Sequence, residues 1–163
     1  MMEENNKTRE VLLQAVEGLS DDQLNQQVVE GKWSIMQVLE HLNLLEKVVS
    51  HMIRSQLENE TDTAVEAKPI EELTLNRSIK IEAPSFLIPS NDYITLEDMK
   101  ARLLKSRARL LQAIEGVEPA LLQKKSYQHP NFGVINLHQW VSFVGLHERR
   151  HLQQIEELKE RLF

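Results

Sequence analysis

Between Leu146 and Ile155 the chain reads LHERRHLQQI, and two histidines, His147 and His151, stand four residues apart in a stretch of helical periodicity. At about 100° and about 1.5 Å per residue they share one face, one turn apart, in phase with Val144 and Ile155, so both point to the apolar side. An imidazole buried without partners costs roughly 1–3 kcal/mol for each unpaired polar atom, and a divalent metal is the partner this spacing serves best. His41, on the flank of an earlier helical stripe beside Leu45 and Met52, is the third candidate ligand. Three neutral imidazoles leave at least one coordination position open, the arrangement of a catalytic rather than a structural zinc site, and water or a thiol can enter it. A lone helical histidine is usually an ordinary core or surface residue, so the weight rests on the inward pair. His51 lies opposite the core face of its helix, His138 is off the stripe, and His129 precedes Pro130 in a loop. These three are read as non-ligands, with His129 in a position to line a pocket.

HERRH also matches the HExxH pattern of metalloproteases, whose Glu is a general base and whose third ligand normally follows downstream. Only twelve residues follow His151, none of them His, and the Gly-x-x-His extension is missing, which argues against a peptidase. Glu148 lies about 60° from His151 on the helical wheel and is the candidate to support a ligand or to act as a base; a solvated helix carboxylate is an equal alternative. The chain has no cysteine, which excludes disulfides, thiolate ligands and an intrinsic thiol nucleophile. A net charge of -6 argues against a nucleic-acid surface. No apolar run approaches the roughly 18 residues of a membrane span, and the polar N-terminus MMEENNKTRE is unlike a secretory signal. The expectation is a cytoplasmic protein acting on a small molecule, with no nucleic acid and no membrane.

The elements that must position these histidines fit a single domain over residues 1–163. Leu12, Ala15, Val16 and Leu19 stripe a first helix beginning near Lys7, followed by a polar stretch with room for a short extra turn. Ser34 and Gln37 form a capping box, with Trp33 placed to staple onto Val38, and open a second helix to about Leu57. Residues 59–94, with Pro69, Pro84 and Pro89, read as a long crossover lying over a site, with short extended pieces around Ile79 to Ile81. Thr95 and Asp98 resemble a box for a third helix striped by Leu96, Met99, Leu103, Leu110 and Ile114. After a loop holding Gly116, Pro119, Pro130 and Gly133, Asn136 caps a fourth helix through Leu162. The fold expected is all-α, a four-helix bundle with one long central crossover.

Two stretches, GKWSIMQVLEHLNLLEK and HPNFGVINLHQWVSFVGLHERRHLQQI, resemble the DinB-like superfamily of bacterial metal-binding bundles, in particular its YfiT-related branch. The motifs that carry the resemblance are Trp-Ser-x-x-Gln-x-x-x-His-Leu, His-Pro-x-Phe-Gly and His-x-x-x-His. It implies one divalent metal on His41, His147 and His151, and a homodimer. It further implies an activity among metal-dependent hydrolases, bacillithiol- or mycothiol-using S-transferases and a mycothiol-dependent isomerase. Zinc or nickel is the expected ion, although imidazole suits copper and iron too. A low-molecular-weight-thiol S-transferase, with a thiol such as bacillithiol, is favoured because the chain shows no side-chain nucleophile or strong base. The alternatives are a hydrolase using metal-activated water and a non-catalytic metal-binding stress-associated module.

Overall fold

Four long helices carry the apolar stripes in the computed structural model, which describes residues 1–163: α1 (Met2–Val16), α3 (Ile35–Glu58), α5 (Leu96–Ile114) and α7 (Leu137–Glu160). Shorter elements fill the connections: α2 (Asp21–Asn25), α4 (Ile70–Leu75), α6 (Pro119–Lys124), and the strands β1 (Ser126–His129) and β2 (Gly133–Asn136). None of the helices is long and apolar enough to cross a membrane.

The helix starts follow local chemistry. At α3 the Ser34 hydroxyl accepts the Gln37 N–H at 3.1 Å, while the Gln37 carboxamide accepts the Ser34 N–H at 2.9 Å. Ser20 and Gln23 repeat the same box at α2, the short extra turn. At α5 only half of the expected box forms, because the Asp98 carboxylate turns to Arg102 at 2.9 Å. Asn136 caps α7 by accepting the Gln139 N–H at 2.7 Å. The first helix begins at Met2, five residues before Lys7, because Asn5 and Arg9 continue the buried stripe of Leu12 and Val16 with polar residues that a hydropathy pattern does not register.

Cross-helix hydrogen bonds give the directions. Asn5 donates to the Val141 carbonyl and Arg9 to Glu148, so α1 and α7 run parallel. Asn43 donates to the Arg102 carbonyl and Glu46 accepts from Ser106, so α3 and α5 run parallel as well. Parallel neighbours cannot be joined by a tight turn, which is why the chain spends residues 59–94 between α3 and α5. Around Ile79 to Ile81 that segment forms no strand; it contains α4 and a 3₁₀ turn at Ser85–Leu87 instead. Its fixing points are main-chain carbonyls: Arg150 donates to those of Thr74, Asn76 and Ile79 at 2.9–3.0 Å. The loop before α7 holds α6 and an antiparallel hairpin pairing Tyr127 with Ile135. Each hairpin strand is four residues long, too short for a period-two pattern to emerge from the sequence.

Two apolar clusters make the core, one around Leu45, Val49, Leu110, Trp140 and Val144, the other around Leu12, Leu39, Leu42, Leu103 and Ile155. On every long helix a polar residue marks the boundary between them. Arg9, Glu46, Arg107 and Glu148 meet there as two cations and two carboxylates, all buried. Arg107 Nε lies 2.7 Å from Glu46 and Arg9 Nε 2.8 Å from Glu148. Removing one member of such a set strands a buried charge, at a cost of about 3–5 kcal/mol.

Candidate metal centre

The same boundary layer carries the histidines. His41 projects from α3, one turn ahead of Leu45, and His147 and His151 from α7, between Val144 and Ile155. His41 and His147 are buried and His151 is half-buried. Their ring nitrogens converge: His147 Nε2 lies 3.2 Å from His41 Nε2 and 3.2 Å from His151 Nε2, and the ligand atoms of all three fall within 4.8 Å of one another.

Proton positions make this a receptor for a cation. His41 Nδ1 lies 2.7 Å from the Leu87 carbonyl, which can only accept, so Nδ1 carries the proton and Nε2 presents a lone pair. His151 Nδ1 stands in the same relation to Gln154 Oε1 at 2.7 Å. His147 has one proton to give, and it can satisfy at most one of those two lone pairs. Its own Nδ1 is buried without a partner. Burial holds His41 below its usual pKa against the opposing bond to Leu87. Burial, then the neighbouring His151 and His41, holds His147 far below, and burial with His41 takes His151 to about 3. All three rings are therefore neutral at pH 7, as metal ligands must be. Two ligands on a tetrahedral ion at about 2.0–2.1 Å stand about 3.3 Å apart, close to the 3.2 Å separations here. The residues fit a divalent ion.

The cluster opens on a cavity of about 870 Å³. Trp33, Met52, Phe86, Phe132, Trp140 and Phe143 supply its apolar wall. Four cationic side chains, Lys32, Arg77, Lys80 and Arg150, also line it, against one carboxylate, the exposed Glu82. The Trp33 ring, expected as a staple, packs with its centroid 4.9 Å from that of His41 and so links the start of α3 to the site.

Glu148 is placed differently from the imidazoles. Its carboxylate takes both Nε and Nη2 of Arg9 and lies 3.4 Å from Arg107; no hydrogen bond joins it to a histidine. Burial raises its pKa, opposed by the two arginines. Sequence reasoning missed its partners Arg9, Glu46 and Arg107, whose signal was present: each is a charged residue in phase with an apolar stripe. His51 is exposed and His138 is half-buried, and neither belongs to the cluster, whereas His129 is buried and lines the cavity.

Residues 4–155 match the model of the DinB superfamily. The chain belongs to that superfamily. It is 35% identical over 151 residues to the uncharacterized protein YuaE of Bacillus subtilis (strain 168), covering 90% of each chain. Among solved structures, this DinB-superfamily chain superposes on TT2238, a four-helix bundle protein, with a TM-score of 0.65 at 22% identity, over 96% of this chain and 95% of that one. It matches YfiT from Bacillus subtilis with a TM-score of 0.64 at 21% identity, over 98% of this chain and 83% of that one. YfiT is described as a probable metal-dependent hydrolase with an unusual four-helix bundle topology. The expected bundle is thus the observed fold.

Proposed function

We propose that the protein is a metal-dependent enzyme in which His41, His147 and His151 hold one divalent cation, zinc or nickel, beside a small-molecule site. The observation that carries this reading is the convergence of the three rings, with His147 Nε2 3.2 Å from each of the other two Nε2 atoms, beside a large aromatic-lined cavity. When bound, the ion supplies a Lewis acid that lowers the pKa of a water or thiol entering the site. Leu87 and Gln154 fix the orientation of two of the rings, as outer partners of ligand histidines do.

Two kinds of chemistry fit such a site, and the proton acceptors separate them. Attack by water needs a base, yet Glu148 is committed to Arg9 and Arg107, and the cavity wall offers only the exposed Glu82. On a zinc ion a bound water would still have a pKa near 7, whereas a coordinated thiol would be deprotonated outright and would need no base. Transfer of an external low-molecular-weight thiol such as bacillithiol to an electrophilic carbon therefore asks least of these residues. Glu148 then acts by anchoring the turn of α7 that bears His147. The hydrolase reading is favoured by the likeness to YfiT.

Metal content measured by mass spectrometry should be one ion per chain for the wild type and His51→Ala, and should collapse for His41→Ala, His147→Ala and His151→Ala. Full stoichiometry in any of the last three removes that residue from the ligand set. The loaded protein is then assayed with bacillithiol, mycothiol, glutathione and coenzyme A against a chloro-dinitrobenzene or bimane electrophile, and with ester, amide and phosphate substrates without thiol. Metal-dependent turnover only with thiol is expected. Thiol-independent hydrolysis would establish the second reading.

A further inference from the structure

The cavity wall contains a polar group that the metal reading leaves unused. His129, at the end of β1, is 3% exposed, and its Nδ1 accepts two backbone N–H groups, from Asn131 at 3.1 Å and Phe132 at 3.2 Å. A nitrogen accepting two donors carries no proton, so the neutral ring holds its proton on Nε2. No protein group accepts from that Nε2–H, since the ring's only hydrogen bonds are those at Nδ1, and His129 lines the cavity.

Aromatic rings clamp the imidazole in this orientation. Phe132 stacks on it with centroids 4.1 Å apart and planes 3° from parallel, Phe143 meets it edge-on at 4.5 Å, and Trp140 lies at 4.9 Å. Burial pulls its pKa down to about 4, so the ring stays a neutral donor at pH 7. Phe143 touches both sides: its ring is 4.5 Å from that of His129 and 5.4 Å from that of His147. One aromatic ring thus separates a fixed, unsatisfied donor from a candidate ligand.

We propose that His129 is a substrate-binding residue whose Nε2–H donates to the carbonyl oxygen of a small apolar or aromatic substrate lodged beside the histidine cluster. This rests on the reading of the cavity as a substrate site and names the substrate class: a carbonyl compound with an apolar body. A neutral, preoriented donor suits this task, since it pairs with the oxygen without bringing a charge that must be desolvated. An apolar ligand lacking the oxygen would leave the donor buried and unpaired, so the site should discriminate between the two.

The test compares 4-phenyl-2-butanone with butylbenzene, which share a body and differ in the carbonyl. Dissociation constants are measured by ligand-observed NMR on the zinc-loaded full chain, with zinc content determined in parallel. The wild type should bind the ketone about threefold to tenfold more tightly, the effect of one net hydrogen bond. His129→Phe should lose that preference while keeping wild-type zinc. In the wild type, long-range ¹H–¹⁵N spectra should show His129 protonated at Nε2 and shifted by the ketone alone, a readout that does not depend on any variant folding. A preference that survives His129→Phe, equal or absent binding of the two probes by the wild type, or a proton on Nδ1 would overturn the proposal. Failure of the wild type to hold zinc would instead remove the metal reading, because His129 is no member of the ligand set.

Discussion

His41, His151 and His129 are each held by a hydrogen bond at Nδ1, yet with opposite results. In the first two Nδ1 donates and Nε2 is left bare; in His129 Nδ1 accepts and Nε2 keeps the proton. The group facing Nδ1 decides whether a ring becomes a ligand or a donor. This has a pH signature at His129, whose pKa falls from the ordinary 6.5 to about 4 in the fold. Between those values the unfolded chain takes up a proton that the folded ring refuses, so stability is complete above about pH 6.5 and is lost as the pH falls toward about 4. Melting temperatures followed from pH 7.5 to 4.5 should fall less steeply for His129→Phe than for the wild type; parallel curves would show that the ring titrates normally in the fold. The pair His147 and His151 was legible from spacing, because a four-residue step sets two imidazoles side by side on an apolar face, where both need a partner, whereas His41 stood only on the flank of its stripe and drew its weight from the family resemblance. The protonation of His129 was not legible, since it depends on two N–H groups that only the folded loop turns toward it.

Among the elements, α1 and α7 approach closely at a single glycine. Gly145 lies in the middle of α7, and a Cβ there would stand 2.9 Å from Asn5 Cγ and 3.3 Å from Asn5 Cα. Asn5 itself donates to the Val141 carbonyl at 2.8 Å, which holds the two helices together at that point. Gly145→Ala gains helix propensity but forces a clash with α1, and overpacking of this kind typically costs about 1–3 kcal/mol, more than the roughly 1 kcal/mol gained. Urea denaturation should therefore find the variant less stable by up to about 2 kcal/mol; an unchanged midpoint would mean that α1 is free to shift. The sequence marked the starts of α3, α5 and α7 well, because Ser34, Thr95 and Asn136 act through bonds to residues three positions on. The start of α1 and the hairpin escaped it for different reasons. The start of α1 is defined by partners distant in the chain, Val141 and Glu148, whereas the hairpin's four-residue strands are too short to show an alternating pattern.

Across the whole molecule, the polar layer between the two apolar clusters is held in two ways: by four permanent charges on α1, α3, α5 and α7, and by three imidazoles on α3 and α7. The charges balance within the chain, whereas the imidazoles bring together more ring lone pairs than their own protons can satisfy. A metal that binds only the folded chain stabilises it by about 2.7 kcal/mol at one hundred times its dissociation constant. Differential scanning calorimetry should accordingly show a lower melting temperature after chelation in the wild type and no response in His147→Ala; wild-type curves that coincide with and without metal would uncouple the site from folding. The long crossover has a further consequence. Its length is imposed by two helices that must run the same way, and residues 77–88 of it become one side of the cavity, while every candidate ligand sits on a helix. One side of the wall is thereby carried by a part of the chain that bears no candidate ligand. On the proposed reading, a lineage could exchange that side of the wall and acquire new substrates while the helices keep the three histidines as an inheritance.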